Sequence, residues 1–153
     1  MRYFLIIIFF AFSILEATGQ KSPIVKIVIN LSKIISEIGF YETVDDNFVG
    51  YSGIQSNQYN RFVILKMNAT DSELVKLTKS FYSNVKAYAY WALVGRNSPL
   101  IKDILKEHLS DKQAFILFSG CLRERKYINQ WFFDLSKDHL SSSEIAEYKK
   151  YLN

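Results

Sequence analysis

From Ser56 onward the chain is punctuated by helix-start signals, and their spacing confines each run between them to a short helix. Ser56 can cap a helix to about Met67 that buries Tyr59, Phe62 and Val63. Thr70-Asp71-Ser72-Glu73 is a capping box, in which Thr70 accepts from the Glu73 amide while Glu73 reaches back. Asn84 is placed to cap Val85 to about Arg96, Ser98-Pro99 to open a helix to about Leu109, and Asp111 to cap the next one. A helical pattern runs from about Arg125 to Leu135, with Tyr127, Ile128, Trp131, Phe132 and Leu135 on one side. Ser141-Ser142-Ser143-Glu144 is a second box, opening a last helix to Leu152. No run between 56 and 153 reads as a strand, so the pattern predicts an all-α fold.

Displacing the chain by 27 residues lays Leu74-Val75-Lys76-Leu77 over Ile101-Lys102-Asp103-Ile104. The same shift pairs the caps Asn84 and Asp111, and then Ala87-Tyr88-Ala89-Tyr90-Trp91 with Ala114-Phe115-Ile116-Leu117-Phe118. Matches at apolar positions, an alanine and a cap are what a repeated helical hairpin requires, and such hairpins bury their faces by stacking. The stretch from Asp71 to Leu122 resembles HEAT-type repeats of the short variety. Asn84-Val85-Lys86-Ala87-Tyr88-Ala89 followed by Trp91-Ala92-Leu93 stands where that family has its turn and second helix, with Lys86 in place of the usual arginine. The second unit departs, because Gln113 replaces the basic residue and Gly120-Cys121 replaces the Ala-Leu pair. More loosely, Tyr59 to Cys121 is similar to small exported bacterial proteins of uncharacterised function. The resemblance implies a short right-handed stack of helical hairpins, a HEAT-like α-solenoid, over 56–153, and it speaks for fold rather than chemistry.

The N-terminus reads as a signal peptide over residues 1–19. Arg2 is the positive n-region, Tyr3 to Leu15 the apolar h-region, and Ala17-Thr18-Gly19 the small-residue cleavage site, leaving Gln20 first. An apolar stretch that ends at Glu16 falls short of the roughly 20 residues that span a bilayer. The expected product is therefore secreted or periplasmic, with no integral membrane segment after cleavage. Residues 20–55 form an N-terminal helix and an irregular loop. Apolar residues at 24, 25, 27, 28, 31, 34, 35 and 38 take helical spacing up to Gly39, although their β-branched content leaves a strand at 24–29 open. From Phe40 to Gln55 no periodicity is sustained, and a connector there packs Phe48 and Tyr51 onto the core.

Composition then narrows the chemistry. One cysteine excludes an internal disulfide and a cysteine-based zinc site, and two histidines leave little for a histidine metal site. No cofactor is expected. Cys121 lies in the apolar run Phe118-Ser119-Gly120-Cys121-Leu122, which favours burial over a reactive thiol. Glu107 and His108 with Asp111 could run acid–base chemistry, but a histidine near a helix C-terminus is favoured there without any function. Arg123-Glu124-Arg125-Lys126, followed by Tyr127 and Trp131, reads as a solvated basic turn between helices. A formal charge of +4 is too mild for a nucleic-acid protein, least of all an exported one.

The expectation is thus an exported helical-repeat protein acting as a protein–protein interaction module, with an unidentified protein partner and no catalysis. Its candidate surface is the exposed face of 85–96 and 112–122 with loop 40–55 beside it, represented by Tyr51, Lys86, Tyr90, Arg123, Arg125 and Lys126. Two alternatives stand beside it. One is a small exported hydrolase using Glu107 and His108, or Cys121; the other is an envelope-associated structural protein held by its basic turn.

Overall fold

The computed structural model describes residues 29–152; the expected signal at 1–19, residues 20–22, and residues 23–28 of the expected first helix lie outside them. Among the described residues the fold is mixed α/β, which overturns the all-α, HEAT-like reading. Seven α-helices accompany one three-stranded sheet. None of those helices is long and apolar enough to cross a membrane.

The centre is α4, Ser83–Val94. Val85, Ala87, Tyr88, Ala89, Tyr90, Ala92 and Leu93 are all buried, so this helix has no solvent stripe and must be enclosed on every side. Around it lie α1 (Leu31–Phe40), α2 (Asn57–Asn68), α3 (Asp71–Leu77), α5 (Ile101–Glu107) and α6 (Ile128–Ser136), with α7 (Ser142–Tyr148) completing the chain. Ring stacking joins the layers. Tyr90 lies parallel to Phe132 of α6 at 3.8 Å, and Phe62 of α2 stacks on both Tyr88 and Trp91 at 4.9 and 4.7 Å.

The local caps at three helices follow their side chains. Ser56 accepts from the Tyr59 amide at 3.0 Å, and both capping boxes close, Thr70 with Glu73 and Ser141 with Glu144. Glu144 accepts from the Ser141 backbone and pairs with Lys102 of α5, which holds its carboxyl down to about 2. Other expected caps serve elsewhere. Asn84 sits inside α4, buried, and donates to the Tyr41 carbonyl. Ser98 is buried, and α5 begins at Ile101 without a side-chain cap. Helix α1 runs through Gly39 to Phe40, and at Gly39 a Cβ would meet the Tyr82 ring at 2.9 Å. There the glycine answers a close approach rather than a helix end.

The sheet has the order β1-β2-β3, from Thr43–Val49, Ala114–Gly120 and Leu122–Tyr127. Strand β1, where an irregular loop was expected, pairs parallel to β2; β3 pairs antiparallel to β2. The expected second helix of the second repeat is β2, so the 27-residue shift lays a helix over a strand. Physics explains the departure. Phe115-Ile116-Leu117-Phe118 is a short, continuous apolar run rich in aromatic and branched side chains, ended by a glycine, and such a run suits a buried strand. Gly120 takes φ +53° at the first position of the two-residue turn Gly120-Cys121, as a type II′ hairpin asks. The helix expected from Arg125 begins only at Ile128, because residues 122–127 are held in the hairpin.

Asp111, expected as a cap, ties elements together instead. Its Oδ1 accepts from the Gln113 amide at 3.0 Å, and Oδ2 takes Lys86 of α4 at 2.7 Å and His108 Nδ1 at 3.1 Å. Burial opposes ionisation of Asp111, yet Lys86, the Gln113 amide and His108 together hold its carboxyl below the ordinary value.

Tyr88 connects helix to sheet. Its hydroxyl accepts from the Asp45 amide at 2.6 Å and donates to the Asp45 carbonyl at 3.0 Å. Tyr88→Phe strands both backbone groups in a dry core. It is expected to lower the unfolding free energy by about 1–3 kcal/mol, measured by urea denaturation, with helical circular dichroism retained.

Candidate functional site

The two edges of the sheet are treated differently, and this marks out the candidate site. Along β1, alternate amides point away from β2, and from Asp45 to Val49 each one finds a partner. Asp45 N–H donates to Tyr88 Oη, Asn47 N–H to Asp46 Oδ1 at 2.7 Å, and Val49 N–H to the Ile54 carbonyl at 3.1 Å. Gln58 of α2 donates to the Thr43 carbonyl at 3.0 Å. That edge is closed by the protein itself, the usual remedy for an unpaired strand.

Strand β3 is the opposite edge. Because a two-residue turn joins β2 to β3, Ser119 and Leu122 form the pair that exchanges both ladder bonds. Alternation then puts Leu117–Glu124 and Phe115–Lys126 in bonded pairs, and Phe118–Arg123 and Ile116–Arg125 in non-bonded ones. The N–H and C=O of Arg123 and Arg125 therefore point outward, with no partner for them among the described residues. Residues 122–125 are exposed along this edge.

Side chains divide between the two faces of the hairpin. Arg123, Arg125 and Tyr127 share one face with Phe118, Ile116 and Ala114; Leu122, Glu124 and Lys126 share the other with Ser119, Leu117 and Phe115. On the inner face Lys126 and Glu124 neutralise one another at 2.6 Å. On the outer face Arg123 lies over the Phe118 ring at 5.0 Å and Arg125 over Tyr127 at 5.7 Å. Neither arginine has a carboxylate within ion-pair distance among the described residues. The rings hold the two guanidiniums in place without cancelling their charge.

Concave surfaces flank this edge. Towards the inner face a groove of about 300 Å³ is lined by Leu117, Leu122, Glu124, Lys126, Trp131 and Asp134. Towards the outer face a cleft of about 330 Å³ is bounded by Glu42, Ser83, Asn84, Ile116 and Arg125. At the far end of the hairpin Gly50 N–H donates to the Gly120 carbonyl at 2.7 Å, and Phe48, Tyr51, Ile54 and Leu122 are exposed there.

The residues expected to form a partner surface are not brought together as one. Arg123, Arg125 and Lys126 do lie on a surface, but on an edge strand rather than a turn between helices. Tyr51 is fully exposed, beyond the end of β1. Tyr90, expected to be exposed, is wholly buried, with its hydroxyl donating to the Ile101 carbonyl at 3.0 Å and touching Ser136 Oγ. Burial pushes the Tyr90 phenol up. Lys86 is largely buried in its pair with Asp111 and is unavailable to a partner. Sequence reasoning missed the outward backbone of Arg123 and Arg125, and with it Phe118 and Tyr127. The signal for them was Gly120-Cys121 between an apolar run and a polar one, the mark of a Gly-X hairpin.

The hydrolase residues fare differently again. Cys121, expected in the core, is exposed at the hairpin turn. Glu107 is exposed and paired with Lys79 at 2.8 Å. His108 is buried at the end of α5, with Nε2 lacking a partner among the described residues and the ring against Phe132. The length of β2, roughly 20 Å for seven residues, separates the end of the chain segment that holds His108 from the turn that holds Cys121. Among the described residues no group of three or more His, Cys, Asp or Glu side chains is arranged to hold a metal ion. No family model, curated protein or solved structure matches this chain.

Burial is the largest influence on the His108 imidazole and pushes it below its ordinary value, against the pull of Asp111. Below the ordinary histidine value of 6.5 the unfolded chain therefore takes up a proton that the folded protein resists. Stability should fall as pH drops from 7.5 to 5.5, and His108→Gln should flatten that slope in urea titrations at each pH. The exposed thiol gives a separate check. Cys121 should react fully with a maleimide in the folded protein, at a rate that urea does not raise, as read by mass spectrometry.

Proposed function

We propose that this chain is an exported protein-binding module that works in a secreted or periplasmic setting and recruits an extended segment of another protein onto the free edge of β3. The partner strand pairs with the outward N–H and C=O groups of Arg123 and Arg125 and extends the sheet by one strand. Main-chain bonds supply affinity in this mode, and pockets for alternate side chains supply selectivity. The observation that carries the reading is the contrast between edges: every outward amide of β1 from Asp45 to Val49 has a partner, and those of Arg123 and Arg125 in β3 have none among the described residues. Export is supported by the order of Arg2, the apolar run from Tyr3 to Leu15 and the small residues Ala17-Thr18-Gly19.

A proline on an edge strand removes an outward donor without breaking a ladder bond. Arg125→Pro is therefore expected to leave the fold intact by circular dichroism and to abolish capture of a partner by cross-linking from an envelope extract. Arg125→Ala, which keeps the N–H, should retain part of that capture. Equal recovery by the proline variant, or no partner for the unaltered protein, would sink the proposal.

A further inference from the structure

Strand addition says where a partner lies; the charge distribution of β3 says what it carries. Three observations bear on this. First, the only side chains whose own backbone groups point outward within 123–126 are Arg123 and Arg125, so a strand pairing there sets its own bonded residues directly opposite them. Second, both guanidiniums lie on one face, two residues apart, and each is held over a ring. Third, the two charges on the other face are already paired with each other. The field presented to an incoming strand is thus neutral on one face and doubly positive on the other. Glu42 borders the cleft beside Arg125 but makes no ion pair with it.

We infer that the segment accepted by β3 carries carboxylates at alternate positions, i and i+2, set opposite Arg123 and Arg125. This rests on the strand-addition reading above. The spacing follows from the pleat, since residues i and i+2 of any strand are about 6.7 Å apart and so match the two arginines in register. Opposite charges directly across a strand pair are favourable, and arginine with a carboxylate forms two parallel N–H···O bonds. The residue between the two carboxylates turns to the other face, towards the groove floored by Leu117, Leu122 and Trp131. A cationic or alternating basic segment is rejected by the same geometry, because like charges then face each other.

The probe is a synthetic peptide, Thr-Val-Glu-Val-Glu-Val-Thr with blocked ends, titrated into the isotope-labelled protein and followed by amide chemical shifts and fluorescence anisotropy. Two relatives replace both glutamates with glutamine or with lysine. A third keeps the glutamates but carries N-methyl groups on the bonding amides. The glutamate peptide is expected to perturb the amides of 122–127 and to bind at least tenfold tighter than the glutamine peptide. High salt should narrow that gap, and N-methylation should remove binding. In Arg123→Glu/Arg125→Glu the preference should invert towards the lysine peptide; Arg123→Gln/Arg125→Gln should bind glutamate and glutamine peptides alike. Equal affinity of unaltered protein for the glutamate and glutamine peptides, with β3 still perturbed, overturns the acidic segment and leaves strand addition standing. Failure of every peptide to perturb 122–127, or unchanged binding after N-methylation, overturns strand addition itself.

Discussion

Two phenol hydroxyls on one buried helix set the arrangement of almost everything else. A helix enclosed on all sides cannot send a tyrosine oxygen to water, so each hydroxyl must find a polar group inside the protein. Tyr88 finds both backbone groups of Asp45, and Tyr90 finds the Ile101 carbonyl and Ser136. The first anchor fixes the sheet against α4. The second fixes the start of α5 and the end of α6 against the same helix, with the Tyr90–Phe132 stack beneath it. Burial raises both phenols well above the ordinary tyrosine value, so neither ionises in the folded protein under physiological conditions.

That anchoring also decides which edge of the sheet remains open. Tyr88 reaches β1 from the helical side, Gln58 follows from α2, and Ile54 folds back over the strand's end. These same contacts stabilise the core, so closing the β1 edge is inseparable from folding. Among the described residues no equivalent element bonds to the outer edge of β3. Its protection comes from charge, and the charge is unevenly placed: one face is internally paired while the other holds two arginines on their rings. Charges on an edge strand discourage indiscriminate pairing between copies, and two like charges on one face make that discouragement selective.

How much of this was legible in the residues depends on the range of each interaction. Ser56, the Thr70–Glu73 box and the Ser141–Glu144 box act within one turn, and all three form where the sequence puts them. The sheet was not legible, because β1 finds its partner far along the chain; Asp46 and Ser119, joined by a 2.8 Å bond, are 73 residues apart. Asp111 shows how a residue type underdetermines its use. An aspartate can cap a helix or close a turn by accepting from the amide two residues on, and β-pairing of the following segment selected the turn. An outward Tyr90 requires that the helix have a solvent-facing side. In α4 that requirement fails, since alanines at 87, 89 and 92 let neighbours approach from every direction.

The parallel pairing of β1 with β2 also orders events in time. The β2–β3 hairpin is local and closes through a two-residue turn, whereas β1 can join only after the helices between them have drawn residue 43 towards residue 116. Until then the apolar run Phe115–Phe118 has its far side uncovered, and an uncovered strand of that composition is a template for other chains. Tyr88, which ties α4 to β1, is therefore among the contacts that keep this run covered in the folded protein.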